Sequence, residues 1–297
     1  MLITIDSPDF SLRVARLVKE ASNIRTVHYV APTVWAWRPG RAQKMARRID
    51  HVLALFPFEP PLMQAAGMAC DFVGHPIVAE PVATKAEVQA FRAEHGLGEA
   101  PILLALPGSR RAEVARLARV FGQAAEVLRA SHPDLRIVVP TVAATADQVR
   151  AAITNWPANP ILLDPRVRDL GNAMAHKRAA FGAANIALAA SGTVSLELAA
   201  ANTPMVIAYD MSRLSMKVMR RMLLIDTVTL VNLVSETRHV PEFLGEACQP
   251  GPLGEALRRV MADPEGQQAA MALSMQRLGQ GGEDPGLRAA QAVLDRL

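Results

Sequence analysis

Short apolar runs alternate with stretches of helical periodicity along most of the chain, and this alternation constrains the fold more tightly than any other feature. Runs at Leu2–Asp6, Thr26–Val30, His51–Phe56 and Asp71–Gly74 are separated by helical patterns at Phe10–Ala21, Pro39–Ile49 and Phe58–Gly67. A second series has runs at Ile102–Leu106, Leu135–Pro140, Ile161–Asp164, Ile186–Ala190 and Met205–Tyr209, with helices near Arg111–Ser131, Ala143–Asn155, Gly171–Ala183 and Val194–Asn202. Strands joined through helices pair in parallel, so each series predicts a parallel sheet covered by helices. Between the two, Pro76–Thr84 (PIVAEPVAT) loses its periodicity and reads as a linker. The tail from Gly254 onward is helical in pattern. The expected organisation is therefore two successive Rossmann-like α/β halves, and 297 residues at 51% hydrophobic composition suffice for two cores.

The two cysteines, Cys70 and Cys248, lie far apart and form no metal-binding spacing, which favours a reducing compartment and two small buried apolar side chains. No run of 18 apolar residues occurs, and the opening MLITIDSPDF has no basic region of the signal-peptide kind. A formal charge of +4 permits an acidic ligand or an anionic membrane surface.

Two junctions carry the chemistry. The apolar run Ile102–Leu106 ends in Pro107-Gly108-Ser109-Arg110 before a helix begins, and Ile186–Ala190 ends in Ser191-Gly192-Thr193 before another. Parallel sheets present their ligand crevice at the carboxyl ends of strands, so both turns sit where an anionic ligand is held by backbone N–H groups. Arg110 offers a planar fork for a diphosphate. Glu197, one turn into the second helix, is placed for ribose hydroxyls. Ordinary turn and cap chemistry explains each of these residues taken singly; the pair together reads as a nucleotide-sugar site.

His28-Tyr29-Val30-Ala31-Pro32-Thr33-Val34-Trp35-Ala36-Trp37-Arg38, Pro57-Phe58-Glu59, Phe72-Val73-Gly74-His75-Pro76, Leu106-Pro107-Gly108-Ser109-Arg110 with Glu113, and Ala190-Ser191-Gly192-Thr193 with Glu197 together resemble the lipid A disaccharide synthase family, from residue 2 to about residue 250. The resemblance implies a GT-B glycosyltransferase with two Rossmann-like domains facing a cleft. It implies transfer of diacylglucosamine from its UDP derivative to diacylglucosamine 1-phosphate, with release of UDP, no metal and no other cofactor. It also implies a place on the cytoplasmic face of the inner membrane, as a peripheral protein of lipid A biosynthesis, with no nucleic acid as partner; homo-oligomerisation is left open. Family members begin with roughly eighty to ninety further residues, including a first strand and a Gly-rich GExSGD-type loop, so that part of the acceptor side is expected to be missing here. The expected domains are accordingly a truncated acceptor-side domain at 1–78, a UDP-sugar domain at 79–275, and a helix at 276–297 that packs back on the first domain. An N-terminal sheet short of its first strands is expected to carry an unpaired apolar edge and to be labile. A non-catalytic UDP-sugar-binding fragment, or another GT-B enzyme of the UDP-GlcNAc type, is the rival reading. A dehydrogenase is disfavoured because no GxGxxG follows a strand.

Residue by residue, Asp6 closes the first strand and is expected to serve as general base, the role that the resemblance implies for it; Asp9 fits a helix N-cap better. Arg110 joins Asp6 as a catalytic candidate, compensating charge on the leaving diphosphate. Arg111 is the weaker of the two arginines. Gly108, Ser109, Ser191, Gly192, Thr193, Glu197 and Asn232 form the expected donor site, Asn232 because an amide in the apolar Val231-Asn232-Leu233 must find partners. Trp35, Trp37, Arg38 and His75 are candidates for acceptor or lipid contact, or else packing residues. Arg38, Arg41, Lys44, Arg47 and Arg48 form a basic stripe with no intervening acid. In Met211–Ile225, Leu214, Val218, Met222 and Ile225 oppose Arg213, Lys217, Arg220 and Arg221, the pattern of a helix lying on an anionic surface or packed across a cleft.

Overall fold

The computed structural model describes residues 1–211, 216 and 221–296. The chain divides into two compact units. The first comprises Met1–Glu80, Met219–Asp226 and Met275–Leu297; the second comprises Pro81–Val218 and Thr227–Ser274.

The first unit holds four parallel strands, β1 (Leu2–Ile5), β2 (Thr26–Tyr29), β3 (His51–Ala54) and β4 (Ala69–Phe72), in the order β1-β2-β3-β4. They alternate with α1 (Pro8–Ala21), α2 (Arg41–Ala46) and α3 (Pro60–Ala65). Its core gathers Ala15, Val34, Met45, Ile49, Val52, Ala54 and Met63. At the outer strand β1, Ile3 and Ile5 are 51% and 69% exposed, and Phe10 and Leu17 of α1 are exposed as well. The last helix of the chain belongs to this unit: Arg296 forks onto Asp71 at 2.9 Å, and Arg288 donates to the Phe72 carbonyl at 2.7 Å.

The linker expected at 76–84 is a single 3-10 turn, Pro76–Ala79, followed by α4 (Lys85–Glu94), a helix that the sequence pattern left unassigned. Thr84 caps α4, accepting from Glu87 N while Glu87 accepts from Thr84 N. There follow β5 (Ile102–Leu106), α5 (Arg111–Arg129), β6 (Arg136–Pro140), α6 (Ala146–Ile153), β7 (Ile161–Leu163), α7 (Leu170–Ala183), β8 (Ile186–Ala190), α8 (Val194–Ala200), β9 (Met205–Tyr209), α9 (Leu230–Ser235), β10 (Glu242–Leu244), α10 (Pro250–Ala262) and α11 (Glu265–Arg277), with α12 (Pro285–Leu294) closing the chain. The second sheet is parallel throughout, in the order β10-β9-β8-β5-β6-β7. Every residue of β5 and β8 is buried, as expected of strands covered on both faces. Close approach of α10 to α5 is possible because Gly254 is bare: a Cβ there would stand 2.5 Å from Val127 Cβ.

The chain runs β5 to β6 to β7 in one direction, then returns to start β8 on the other flank of β5. The order reverses between β5 and β8, which is the point in a doubly wound sheet where a crevice opens beyond the carboxyl ends of the strands.

Candidate active site

A cavity of about 430 Å³ lies at that switch point. It is lined from β5 by Leu106, Gly108, Ser109, Arg110 and Glu113, from β6 by Pro140, Thr141 and Val142, and from β8 by Ala190, Ser191, Gly192, Thr193, Val194 and Glu197, with Lys177 contributed by α7. The two turns read from the sequence are thus brought into one site.

Each turn is shaped by its glycine. Gly108 has φ +123°, and a Cβ on it would fall 2.5 Å from Glu113 Cβ. Gly192 has φ +154° beside open space. Glu113 accepts from the backbone N–H of Ser109 and Arg110 at 3.1 and 3.2 Å, which holds the first turn of α5. Its other oxygen pairs with Arg110 Nη1 at 2.8 Å. The Arg110 side chain is 79% exposed, so its guanidinium can re-aim toward an anion at little cost. On the second turn Thr193, rather than Ser191, takes the N-cap position, and the Ser191 hydroxyl reaches the Val228 carbonyl at 3.5 Å. Helix α8 has only seven residues, so the binding capacity of this turn rests on its local N–H groups more than on a long aligned dipole. Glu197 meets Lys177 Nζ at 2.5 Å. Lys177 and Thr141 were missed from the sequence. Both reach the cavity from elements whose patterns show only helix and strand.

The first-unit candidates lie on their own sheet. Asp6 and Ser7 follow β1 with φ +45° and +44°, a left-handed pair that L-residues rarely adopt. The Asp6 side chain is exposed, while its carbonyl accepts from the Ser11 hydroxyl at 2.7 Å. The N-cap of α1 is Ser7, and Asp9 lies within the first turn. Asp9 therefore does not cap the helix as expected; it is 92% exposed and pairs with Arg41 at 3.4 Å. Trp35 donates to Glu59 at 3.1 Å and packs edge-on against Phe56 and Phe58. Trp37 donates to the Thr33 hydroxyl at 3.1 Å, and Arg38, at φ +52°, stacks over its ring at 4.3 Å. His75 caps the 3-10 turn, its Nδ1 accepting from Ile77 N at 3.1 Å; burial drops its pKa to about 4, so the ring is neutral. Cys70 and Cys248 are buried free thiols, pushed up to about 12 and about 11 by burial.

A family model described as lipid-A-disaccharide synthetase matches residues 1–294. The chain belongs to the lipid-A-disaccharide synthetase family. A lipid-A-disaccharide synthase from Ruegeria pomeroyi is 67% identical over 297 residues, a match that covers all of this chain and 74% of that protein. Another from Rhodospirillum centenum is 46% identical over 299 residues, covering 99% of this chain and 72% of that one. Among solved structures, Anabaena Alr3699/HepE in complex with UDP and glucose superposes with a TM-score of 0.59 at 12% identity, covering 99% of this chain and 78% of that chain. A trehalose 6-phosphate synthase from Burkholderia multivorans gives 0.57 at 12% identity, covering 99% and 71%. The two structures establish the fold class, GT-B; the family establishes a glycosyltransferase of lipid A biosynthesis.

Within this family framework one donor-site candidate falls away from the cavity. Asn232 is buried on α9, donating to the Val240 carbonyl at 2.9 Å and to Thr227 Oγ1 at 3.3 Å, and accepting from Val240 N at 3.0 Å. Its amide is consumed in holding the loop before β10, so it does not line the site. Of the basic and apolar segment 211–225, Arg213, Leu214, Lys217, Val218 and Arg220 lie outside the described residues. The described part is tied down by Leu224 N, which donates to the Ala36 carbonyl at 2.9 Å. Among the described residues no helix is long and apolar enough to cross a membrane.

Proposed function

We propose that the switch-point cavity holds the UDP moiety of a UDP-diacylglucosamine donor and that Asp6 deprotonates the 6-hydroxyl of a diacylglucosamine 1-phosphate acceptor. In this reading the hydroxyl oxygen attacks the anomeric carbon, the bond from that carbon to the diphosphate breaks, and the electron pair leaves on UDP. Arg110 turns from Glu113 to the diphosphate and meets the charge that builds there. The Gly108 N–H and the backbone N–H groups of the Gly192 turn take phosphate oxygens, and Glu197, oriented by Lys177, accepts from ribose hydroxyls. Lipid-linked substrates place the enzyme at a membrane surface, on the cytoplasmic face of the inner membrane, where the basic side chains Arg41, Lys44 and Arg47 at α2 meet anionic headgroups. The observation that carries the reading is the convergence of both Gly turns, Arg110 and Glu197 in one cavity at the reversal of strand order.

Calorimetric titration with UDP tests it. Loss of a charge-assisted pair worth roughly 1.5–3 kcal/mol predicts that Arg110→Ala weakens UDP by about ten- to a hundredfold. Arg110→Lys should recover only part of that, because an ammonium lacks the bidentate fork. Equal affinity in the Ala variant would remove Arg110 from the site.

A further inference from the structure

Away from the cavity, α4 packs against α7 and brings His95, His176 and Glu94 together. The two imidazole Nε2 atoms stand 2.9 Å apart. The Glu94 carboxylate places one oxygen 3.9 Å from His95 Nε2 and the other 3.5 Å from His176 Nε2. Phe91, one turn before His95, packs its ring 4.7 and 5.0 Å from the two imidazoles and fixes their planes. None of these residues lines the switch-point cavity.

We propose that Glu94, His95 and His176 form a binding site for a divalent transition-metal ion, of the zinc or cobalt class, that clasps α4 to α7. Zinc binds imidazole nitrogen and carboxylate oxygen at about 2.0–2.2 Å, and tetrahedral angles then separate neighbouring donor atoms by about 3.3 Å. The three donor atoms already lie within 4.8 Å of one another, so the imidazoles part by a few tenths of an ångström and one carboxylate oxygen closes by up to about 1.5 Å, a rotation within reach of an exposed side chain. Two imidazoles with one carboxylate suit zinc, cobalt, nickel or copper rather than magnesium or calcium, which prefer oxygen. Glu94 is exposed, so a fourth position faces water.

Both imidazoles must be neutral to ligate a metal ion. One Nε2–H donates to the other Nε2 across the 2.9 Å contact. For both to ligate, that proton moves to Nδ1 of its own ring; none is released. Arg168 is the competitor: it pairs with Glu94 and stands 3.5 Å from His176 Nε2, occupying with its own positive charge the place of a cation. Its side chain is one-third exposed, and an entering cation has to displace it from Glu94. The consequence reaches the nucleotide cavity, since the residue after His176 is Lys177, the partner of Glu197. The site itself does not depend on the UDP reading.

The test is titration of the full chain, stripped with chelator, with Co²⁺, followed by visible absorption and by displacement with Zn²⁺, all without nucleotide. The expected result is one Co²⁺ per chain with the intense visible bands of four-coordinate nitrogen and oxygen ligation. His95→Gln and His176→Gln should each abolish those bands, with circular dichroism confirming that the fold persists. Arg168→Gln keeps every ligand and removes the competing charge, so it should tighten binding by about tenfold or more. It also serves as the decisive variant if a histidine variant fails to fold. Absence of the bands, their survival in either folded histidine variant, or weaker binding in Arg168→Gln would overturn the proposal.

Discussion

Gly108 shows how much of the donor site depends on a single missing side chain. At φ +123° an alanine is strained, and its Cβ would fall 2.5 Å from Glu113 Cβ, on a carboxylate that holds two backbone N–H groups of the same turn. Gly108→Ala should therefore destabilise the second unit by roughly 1–3 kcal/mol and weaken UDP by about tenfold or more, read by thermal melting and by calorimetry. Wild-type affinity in the alanine variant would show that the turn does not touch the nucleotide. Asp6 carries the other residue-scale expectation. With Ser7 it forms a non-glycine pair of left-handed residues beyond β1, the kind of local strain that concentrates at working sites. Asp6→Asn should lower kcat for disaccharide formation by about a hundredfold or more while leaving UDP affinity unchanged, since a general base acts in the chemical step. Retained turnover would leave Asp6 with a structural role only. The two Gly turns were legible in the sequence because glycine between an apolar run and a helical pattern is strong punctuation. Lys177 was not, because it enters from the middle of a helix and only the third dimension places it beside Glu197. Asn232 misled for a physical reason: the sequence shows that a buried amide needs partners, but not that the Val240 backbone supplies them.

The turn between β3 and α3 is governed by one buried carboxyl. Glu59 is 2% exposed, and it accepts from Leu55 N and Phe56 N at 3.0 Å each and from Trp35 Nε1 at 3.1 Å. Burial outweighs these bonds and raises its pKa to about 7. A carboxyl raised above its unfolded value stabilises the fold fully below about 4.5 and loses that contribution as pH climbs through about 7, an effect of roughly 3 kcal/mol. His75, held at about 4, works in the opposite sense: stability rises as pH passes from its folded value to the ordinary imidazole value. The difference between wild type and Glu59→Gln isolates the carboxyl. Between pH 5 and 8 the wild type should lose melting temperature relative to the variant, and Trp35 emission should titrate near pH 7 in the wild type alone. Parallel pH profiles would show that Glu59 is not the titrating group. Elements were most legible where burial is complete: β5, β8 and β9 coincide with the apolar runs Ile102–Leu106, Ile186–Ala190 and Met205–Tyr209. The β4 ladder lies two residues earlier than its apolar run, at Ala69–Phe72, because Val73 and Gly74 are buried beyond the paired segment. The six-residue α9 and three-residue β10 are too short to show a period.

At the scale of the whole molecule the two units are unequal. The second has six strands whose central members are buried on both faces, with α10 packed closely along α5. The first has four strands, an outer strand with exposed Ile3 and Ile5, and a tail that returns through Arg288 and Arg296 to clamp β4. Fewer buried apolar side chains mean lower local stability, so heating should give two transitions rather than one. The tryptophans report them separately, Trp35 and Trp37 from the first unit and Trp156 from beneath α5 in the second. The lower transition should follow Trp35 and Trp37. UDP should raise only the upper one, by mass action on the unit that contains the switch-point cavity, approaching 2.7 kcal/mol at about a hundred times the dissociation constant. Limited proteolysis should in parallel cut the first unit early and leave a resistant core within 81–274 that nucleotide protects further. Scanning calorimetry with fluorescence-resolved melts, with and without UDP, decides the matter. A single transition that UDP raises as a whole would mean that the units unfold as one body, and a shift confined to the Trp35 and Trp37 signal would move the nucleotide out of the second unit.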